Sequence, residues 1–546
     1  MKKINFLVGA LMTISLLAAC GTNKQADKPK EKETKAESVI KVTSGGELST
    51  LDSALYSDVY SSDTIGQIIE GLYRVGPNNE AELAMAAKEP EISEDQTVYT
   101  YDIREAQWSN GEPVTANDFV YAFQNVVDPD YGSPSANQMD VIKNAKTIRE
   151  DKGNLEDLGV KAIDDTHLEI TLENPTPYLA KLLTGTPFLP KNQDFAEKLG
   201  TDYGTDGEKV LSNGPFTISG WDGTNNEWVF TKNEAYWDAK NVYLDKVKVS
   251  VIKEIGTGVS LFEAGDVDFT VIGDEYATQK KNEPEFQAVP KALIGYIGFN
   301  TQREITGNRN ARLAIAQAYD KEKFAENILA DGSIALNGLV PNNYAKNPQT
   351  GQEFREENGD LLTYDVEKAQ SAWEEAKKEL GKDSLELELL SADSPTAKKT
   401  VEFLQAELQS NLPGLKVNIK HVPVAQRLDL NRAGEFDFFF GTWTPDYADP
   451  INFLEVYEST GGLNFGKFSN PEYDKGIEAA KASLATKPEE RWQQMLDTEK
   501  LGIGEEVAIA PVYQGSIAFL TKEGLTDVQV FPFGRSVSYR LARLSN

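Results

Sequence analysis

Residue types that carry enzyme chemistry are scarce in this 546-residue chain. The two histidines, His167 and His421, have no metal-ligand neighbour at helical spacing, so we expect both to be structural. The sequence contains no G-x-S-x-G, H-E-x-x-H or Walker A motif. Aspartate and glutamate are abundant, which leaves a carboxylate pair for glycoside hydrolysis open. We therefore expect no enzyme activity and neither a metal nor an organic cofactor.

The single cysteine, Cys20, follows an apolar run from Ile4 to Leu17 that Lys2 and Lys3 precede. A basic start, a short apolar stretch and a small-residue cleavage site are typical of a secretory signal, and the run is too short to span a membrane. The segment resembles a bacterial lipoprotein signal, in which the cysteine becomes the lipid-bearing N-terminus. We predict that residues 1–19 are this signal peptide and that Cys20 is lipidated, which leaves no cysteine for a disulfide.

The composition predicts a globular protein that is held outside the cell. Hydrophobic residues make up 40% of the chain, and the formal net charge of −31 repels nucleic acid and anionic lipid. Residues 20–37 alternate lysine with glutamate and contain no aromatic residue, so we expect a hydrated tether. No other apolar stretch is long enough to span a membrane. We expect the body on the outer face of the cell membrane, attached by lipid alone.

Strand-like and helical patterns alternate along the body of the chain. Apolar residues alternate with polar ones in four segments, Val39–Val42, Tyr99–Ile103, Leu168–Leu172 and Val247–Val251. Helix starts are indicated by the Thr115–Asp118 capping box, by Asp365, and by Ser394 before Pro395. The predicted class is α/β with some antiparallel strands.

The segment Gly434–Trp443 is rich in phenylalanine and predicts a buried strand. The strand is followed by the residues Thr444, Pro445 and Asp446. In open α/β lobes, ligands meet the carboxyl ends of strands. Asp446 is therefore the first candidate for a ligand-binding residue.

Four sequence blocks together resemble the extracellular solute-binding proteins of peptide ABC transporters, in the oligopeptide-binding branch of family 5. The blocks are Ser49–Asp52 with Glu70–Leu72, Trp108–Tyr121, Ser212–Phe216 with Lys232–Asn233 and Tyr236–Trp237, and Gly441–Pro450. The resemblance implies an α/β, two-lobe, periplasmic-binding-protein-like (Venus flytrap) fold with an extra domain in the first lobe. It places lobe I at 38–69, 191–290 and 511–546, the extra domain at 70–190, and lobe II at 291–510. Ligand binding would favour the closed state.

The resemblance also implies how a peptide is held. In related receptors the aspartate of a W-x-x-D-Y motif pairs with the α-ammonium of the peptide, and Trp443 and Asp446 match that motif. Trp443 would form a wall of the first side-chain pocket. Main-chain bonds would come from Tyr56, Ser57 and Val59 on one side and from the strand ending at Gly441 on the other.

One departure from the family pattern bears on peptide length. Relatives that hold short peptides supply cations for the C-terminus of the peptide, and two of these positions here hold Asn431 and Phe440. Arg432, next to the first, is a candidate substitute. We hypothesise that this C-terminal clamp is lost and that longer peptides are tolerated.

The leading interpretation is a monomeric, lipid-anchored receptor that delivers oligopeptides to the permease subunits of an ABC transporter. A receptor dedicated to one signalling peptide, such as a pheromone, remains open, because specificity depends on the shape of the pockets. A receptor for a non-peptide solute on the same fold is the other alternative. The W-x-x-D-Y motif argues against it, because most such solutes have no α-amine to pair with Asp446.

Overall fold

The computed structural model describes residues 37–77, 79–445 and 447–545, so Cys20 and Asp446 lie outside the described residues. The longer strands are β1 (Val39–Ser44), β5 (Val98–Asp102), β6 (Val160–Asp164), β7 (His167–Thr171), β8 (Phe216–Ser219), β9 (Glu227–Lys232), β10 (Lys246–Val251), β11 (Phe269–Ile272), β12 (Phe286–Phe299), β14 (Leu385–Ala392), β15 (Leu415–Val422), β16 (Phe438–Trp443) and β17 (Ile509–Thr521). Shorter strands are β2 (Tyr73–Val75), β3 (Ala81–Leu83), β4 (Glu91–Ile92), β13 (Ile334–Ala335), β18 (Leu525–Thr526), β19 (Gln529–Val530), β20 (Val537–Ser538) and β21 (Arg543–Leu544).

Sixteen α-helices are present in the described part of the chain. They are α1 (Val59–Ile68), α2 (Ala116–Val127), α3 (Ala145–Arg149), α4 (Leu179–Leu182), α5 (Gln193–Leu199), α6 (Ile255–Glu263), α7 (Asp274–Lys280), α8 (Arg309–Gln317), α9 (Lys321–Lys323), α10 (Phe354–Asn358), α11 (Val366–Leu380), α12 (Pro395–Asn411), α13 (Val424–Ala433), α14 (Ile451–Leu454), α15 (Pro471–Lys481) and α16 (Pro488–Glu499). None of them is both long enough and apolar enough to cross a lipid bilayer.

One eleven-stranded sheet contains most of the longer strands. Its order is β15-β14-β16-β12-β17-β11-β1-β10-β9-β8, and β13 pairs with β17 off this path. The pairs β1–β10, β1–β11, β14–β15 and β14–β16 are parallel, whereas β12 and β17 are antiparallel to each other. The mixed parallel and antiparallel pairing confirms the predicted α/β class.

The two longest strands, β12 and β17, connect the halves of this sheet. The first half of β12 pairs with Ser516–Leu520, and the second half pairs with Ile509–Gln514 and with β16. The register shifts between Pro290 and Ile294, which places a β-bulge in the middle of β12. A bulge bends a strand and turns its side chains to new directions. The bulge lies close to the predicted boundary at 290/291, and the exact domain bounds remain a prediction.

A separate four-stranded antiparallel sheet, β4-β5-β7-β6, has its own hydrophobic core. Helix α2 begins at the predicted capping box, where the Thr115 amide donates to the Asp118 carboxylate at 2.8 Å. Its residues Phe119, Phe123 and Val126 are buried in this core, as the sequence predicts. A second core contains residues of β12, β14 and β16. A third contains residues of β1, β9 and β10.

The other predicted helix starts are also confirmed. Asp365 accepts from the Lys368 amide at 3.0 Å at the start of α11, and Gly381 follows the helix with a φ of 65°. Ser394 accepts from the Ala397 amide at 3.3 Å at the start of α12. These caps satisfy backbone groups that a helix terminus leaves without partners.

Candidate functional site

A cavity of about 440 Å³ is lined by several separate parts of the chain, which include some of the predicted site residues. Tyr56, Ser57 and Val59 line one side of it, and Thr444, Pro445 and Tyr447 line another. Further lining comes from Ser135 and Gln138, from the Lys181–Thr186 segment, and from Phe533, Gly534 and Arg535. We call this space the cleft. Its volume is within the range of ligand pockets in proteins.

The Tyr56–Val59 side of the cleft is held by the N-terminus of α1. Asp58 is the N-cap and accepts from the Ser61 amide at 2.8 Å, from the Ser61 hydroxyl at 2.8 Å and from the Ser49 hydroxyl at 2.5 Å. Val59 is the first helical residue and is 40% exposed. The segment predicted to bond to the peptide main chain therefore leaves the extended conformation after Asp58, because α1 begins at Val59.

The strand on the opposite side is β16, whose phenylalanines are buried as the sequence predicts. It continues to Trp443, two residues beyond the predicted end at Gly441, because its pairing with β12 extends to Ile294. On its other edge, β14 pairs with β16 only at Phe438 and Phe439. Within the described chain, no strand pairs with the later residues of β16 along that edge. Such an edge presents backbone groups to which an extended peptide can add.

The turn after β16 is held by a buried ion pair. Asp449 receives two hydrogen bonds from the Arg491 guanidinium, at 2.8 and 2.9 Å, and also accepts from the Ile451 amide at 3.0 Å. Both side chains are almost fully buried, and the carboxylate raises the pKa of Arg491 against the effect of desolvation. A bidentate pair of this kind fixes the geometry of the turn.

An aromatic pair connects this turn to the α4 region. The rings of Tyr178 and Tyr447 stack with centroids 4.4 Å apart and planes inclined by 8°. The Tyr447 hydroxyl donates to Glu455 at 2.6 Å, and its backbone carbonyl accepts from the Tyr344 hydroxyl. The residues on both sides of position 446 are therefore placed at the cleft by contacts from several elements.

The remaining predicted site residues, Trp443, Gly441 and Arg432, are not among the residues that line the cleft. Trp443 is partly buried and packs edge-to-face on Phe453, with centroids 4.8 Å apart. Gly441 is buried and pairs with Tyr296 of β12. Arg432 is exposed near the end of α13 and forms an ion pair with Asp429 at 3.0 Å. It does not line the cleft, so the role of a peptide clamp remains a prediction for this residue.

The two histidines lie at partly or fully exposed strand positions, and the structural roles expected for them remain a prediction. His167 forms a hydrogen bond with the Asp164 carboxylate at 2.8 Å, and this interaction raises the pKa of the imidazole. His421 lies exposed on β15. Over the described ranges, no cluster of three histidine, cysteine, aspartate or glutamate residues could hold a metal ion.

Comparison with known proteins identifies the family. Residues 80–465 match the family described as bacterial extracellular solute-binding proteins, family 5 middle. The chain is 33% identical over 517 residues to a dipeptide-binding protein of Lactococcus lactis subsp. cremoris, with 92% of this chain and 90% of the relative covered.

Solved structures show the same fold. A structure described as Listeria monocytogenes OppA bound to peptide is 38% identical, with a TM-score of 0.72 over 94% of this chain and 100% of the other. A structure of the pheromone receptor PrgZ is 35% identical, with a TM-score of 0.72 over 93% and 100%. These likenesses confirm the predicted two-lobe α/β fold. The chain belongs to the bacterial extracellular solute-binding proteins of family 5.

Proposed function

We propose that this protein is a lipid-anchored receptor that binds oligopeptides in extended form between two lobes and delivers them to an ABC permease for import. The observation that carries the proposal is the cleft, which both the Tyr56–Val59 segment and the turn after β16 line. The relatives support it, because their names describe dipeptide and oligopeptide binding. The proposed receptor acts as a monomer and catalyses no reaction.

The proposed anchor for the peptide is Asp446. Its neighbours Pro445 and Tyr447 line the cleft, and the N-terminal ammonium is the one positive group that every unmodified peptide has. A carboxylate in a closed cleft is a natural partner for this group. The later residues of β16 offer an edge for the peptide backbone, which gives affinity without reading side chains. Arg432 remains the proposed substitute for the C-terminal clamp.

The proposed attachment is through lipid on Cys20, with residues 20–37 as a tether. Support comes from the basic start, the apolar run and the Leu-Ala-Ala-Cys sequence. The protein would then face the extracellular side of the cell membrane. The net charge of −31 favours solubility there and disfavours nucleic acid as a partner.

The test is a comparison of free and N-acetylated peptides on the full-length chain and its Asp446→Asn variant. We expect the substitution to weaken binding of free peptides by about 2–5 kcal/mol, because it removes one partner of a desolvated charge pair. Acetylated peptides should bind both proteins equally weakly. Asp497→Asn is the matched control, since Asp497 is exposed on α16 and does not line the cleft. Equal affinity of Asp446→Asn and the unaltered chain for free peptides would contradict the role of Asp446.

Mass spectrometry of the ligands that copurify with the protein separates the alternatives. Many unrelated peptides with free N-termini would support a broad receptor. A single peptide would favour a dedicated signalling receptor, an alternative that the likeness to the pheromone receptor PrgZ keeps open. A non-peptide solute without an amine would refute the proposal.

A further inference from the structure

A second cavity, of about 370 Å³, lies next to the cleft and shares Val59 with it. We call it the second chamber. Its walls include Thr43 and Ser44 at the carboxyl end of β1, and Ile252 and Lys253 just after β10. Carboxyl ends of parallel strands are the usual place for ligands in open α/β sheets. The position of the chamber makes it an extension of the space in which a peptide would lie.

Lys291 lines the second chamber and has no counter-ion in direct contact. It lies in the β12 bulge, between Pro290 and Ile294, where its carbonyl accepts from the Gln514 side chain at 2.9 Å. No ion pair or hydrogen bond of its ammonium group is present among residues 37–77, 79–445 and 447–545. Burial lowers the pKa of Lys291, and the more distant Asp63 carboxylate partly offsets this effect. A desolvated ammonium without a partner is costly, so this position suits an incoming anion.

Trp228 forms part of the wall of the same chamber. It lies on β9, its side chain is 3% exposed, and its indole N–H finds no acceptor within the described part of the protein. Most buried donors in proteins are paired, and leaving one unpaired costs as much as losing a hydrogen bond. The indole nitrogen itself is closed to a water-sized group, so Lys291 remains the unpaired donor that a ligand in the chamber can reach.

The charged groups around Lys291 carry both signs. Asp63 on α1 faces Lys291, Arg535 and Tyr539, and accepts from the Ser536 amide at 2.5 Å. Burial raises the pKa of Asp63 to about 7, so its negative charge is only partial near neutral pH. Arg535 donates to the Thr184 carbonyl at 2.9 Å and remains cationic.

Two further charged residues line the chamber, Lys253 and Glu254. Lys253 is already paired with Glu47 at 2.6 Å, and its side chain is 60% exposed. Of the two lysines that line the chamber, Lys291 is therefore the one without a direct partner among the described residues. This difference makes Lys253 a matched control for experiments on Lys291.

We propose that the second chamber binds a carboxylate of the bound peptide, with Lys291 as the counter-charge. The carboxylate is either the side chain of an aspartate or glutamate or the C-terminus of the peptide. A carboxylate offers only acceptors, which matches the unpaired ammonium of Lys291. The inference rests on the proposed function, and it adds a preference among peptides that backbone contacts alone would not give.

The test uses the full-length chain and a set of hexapeptides with free N-termini. One arm compares glutamate with glutamine at each position, and the other compares the free C-terminal acid with the C-terminal amide. We expect the unaltered protein to prefer the acidic member of one arm by about 10- to 100-fold, the effect of a hydrogen bond to a charged group. The arm that shows the preference identifies which carboxylate is bound.

Substitutions then connect that preference to the chamber. In Lys291→Met the preference should fall to within about twofold, while the affinity for the neutral peptide is kept. Lys291→Arg should retain most of it. Lys253→Met should leave the preference unchanged.

Three outcomes would overturn the inference and leave the proposed function standing. The first is the absence of a preference for the acidic peptide in the unaltered protein. The second is an unchanged preference in Lys291→Met, and the third is a loss of the preference in Lys253→Met as large as that in Lys291→Met. A failure of every peptide to bind would instead refute the proposed function. Thermal unfolding of each variant separates a local effect from a general loss of the fold.

Discussion

The Tyr178–Tyr447 stack makes a prediction about peptide affinity, because it holds the segment that leads through position 446. Tyr178 precedes α4, whereas Tyr447 follows β16. Both side chains pack against two of the hydrophobic cores, so the pair joins them. Replacing Tyr178 with alanine removes the ring from one side of the turn and leaves Tyr447 supported by its bond to Glu455.

The magnitude follows from the geometry of the stack. A parallel, closely spaced pair contributes about 0.5–1.5 kcal/mol beyond the area that it buries. If that energy positions the proposed anchor for the peptide, its loss weakens binding by about 2- to 12-fold. Tyr178→Phe keeps the ring and should bind peptide within about twofold of the unaltered chain.

Titration calorimetry with one free peptide measures the effect, and a double-mutant cycle with Tyr447→Ala isolates the contribution of the stack. The coupling between Tyr178→Ala and Tyr447→Ala should match the loss seen in Tyr178→Ala, because Tyr447→Ala also removes the hydrogen bond to Glu455. Urea unfolding of the same proteins shows whether overall stability changes as well. Additive effects, or a Tyr178→Phe variant as weak as Tyr178→Ala, would refute the assignment of this role to the stacked rings.

Two further predictions concern stability. Arg491→Met should lower the free energy of unfolding by about 3–5 kcal/mol, since it leaves the Asp449 carboxylate buried without its partner; urea unfolding measures the change, and a loss below about 1 kcal/mol, typical of exposed ion pairs, would contradict it. Burial raises the pKa of Asp63 to about 7 from 3.8, so the native state keeps a proton that the unfolded chain releases. Stability from this group is therefore present in acid and falls as pH rises from about 4 to 7, by at most about 4 kcal/mol. Asp63→Asn should flatten that slope, and parallel curves for the two proteins between pH 4 and 8 would contradict the raised pKa.

Local signals in the sequence determined much of the fold. The Thr115–Asp118 capping box and the Asp365 and Ser394 caps predicted the starts of three helices, because a cap needs only residues that are close along the chain. The phenylalanines of β16 were predicted to be buried for the same reason, since an apolar run identifies a strand without knowledge of its partners.

The residues of the second chamber could not be predicted from local patterns in the sequence. Lys291, Trp228 and Asp63 come from three distant parts of the sequence, and none belongs to a motif. No periodicity reveals that an ammonium and an indole N–H lack acceptors, because that property depends on which side chains pack around them. The β12 bulge was also missed, since it follows from the register of β12 against β17.

Strand β17 has a consequence for the order in which the protein can fold. It lies between β12 and β11 in the large sheet, yet it is the last long strand of the chain. The core built on β1, β9 and β10 also includes Phe519 and Tyr539. A polypeptide that emerges with its N-terminus first therefore cannot complete this core until nearly all of it has been made. Contacts that span almost the entire sequence slow folding, so the large sheet remains incomplete until β17 has been made.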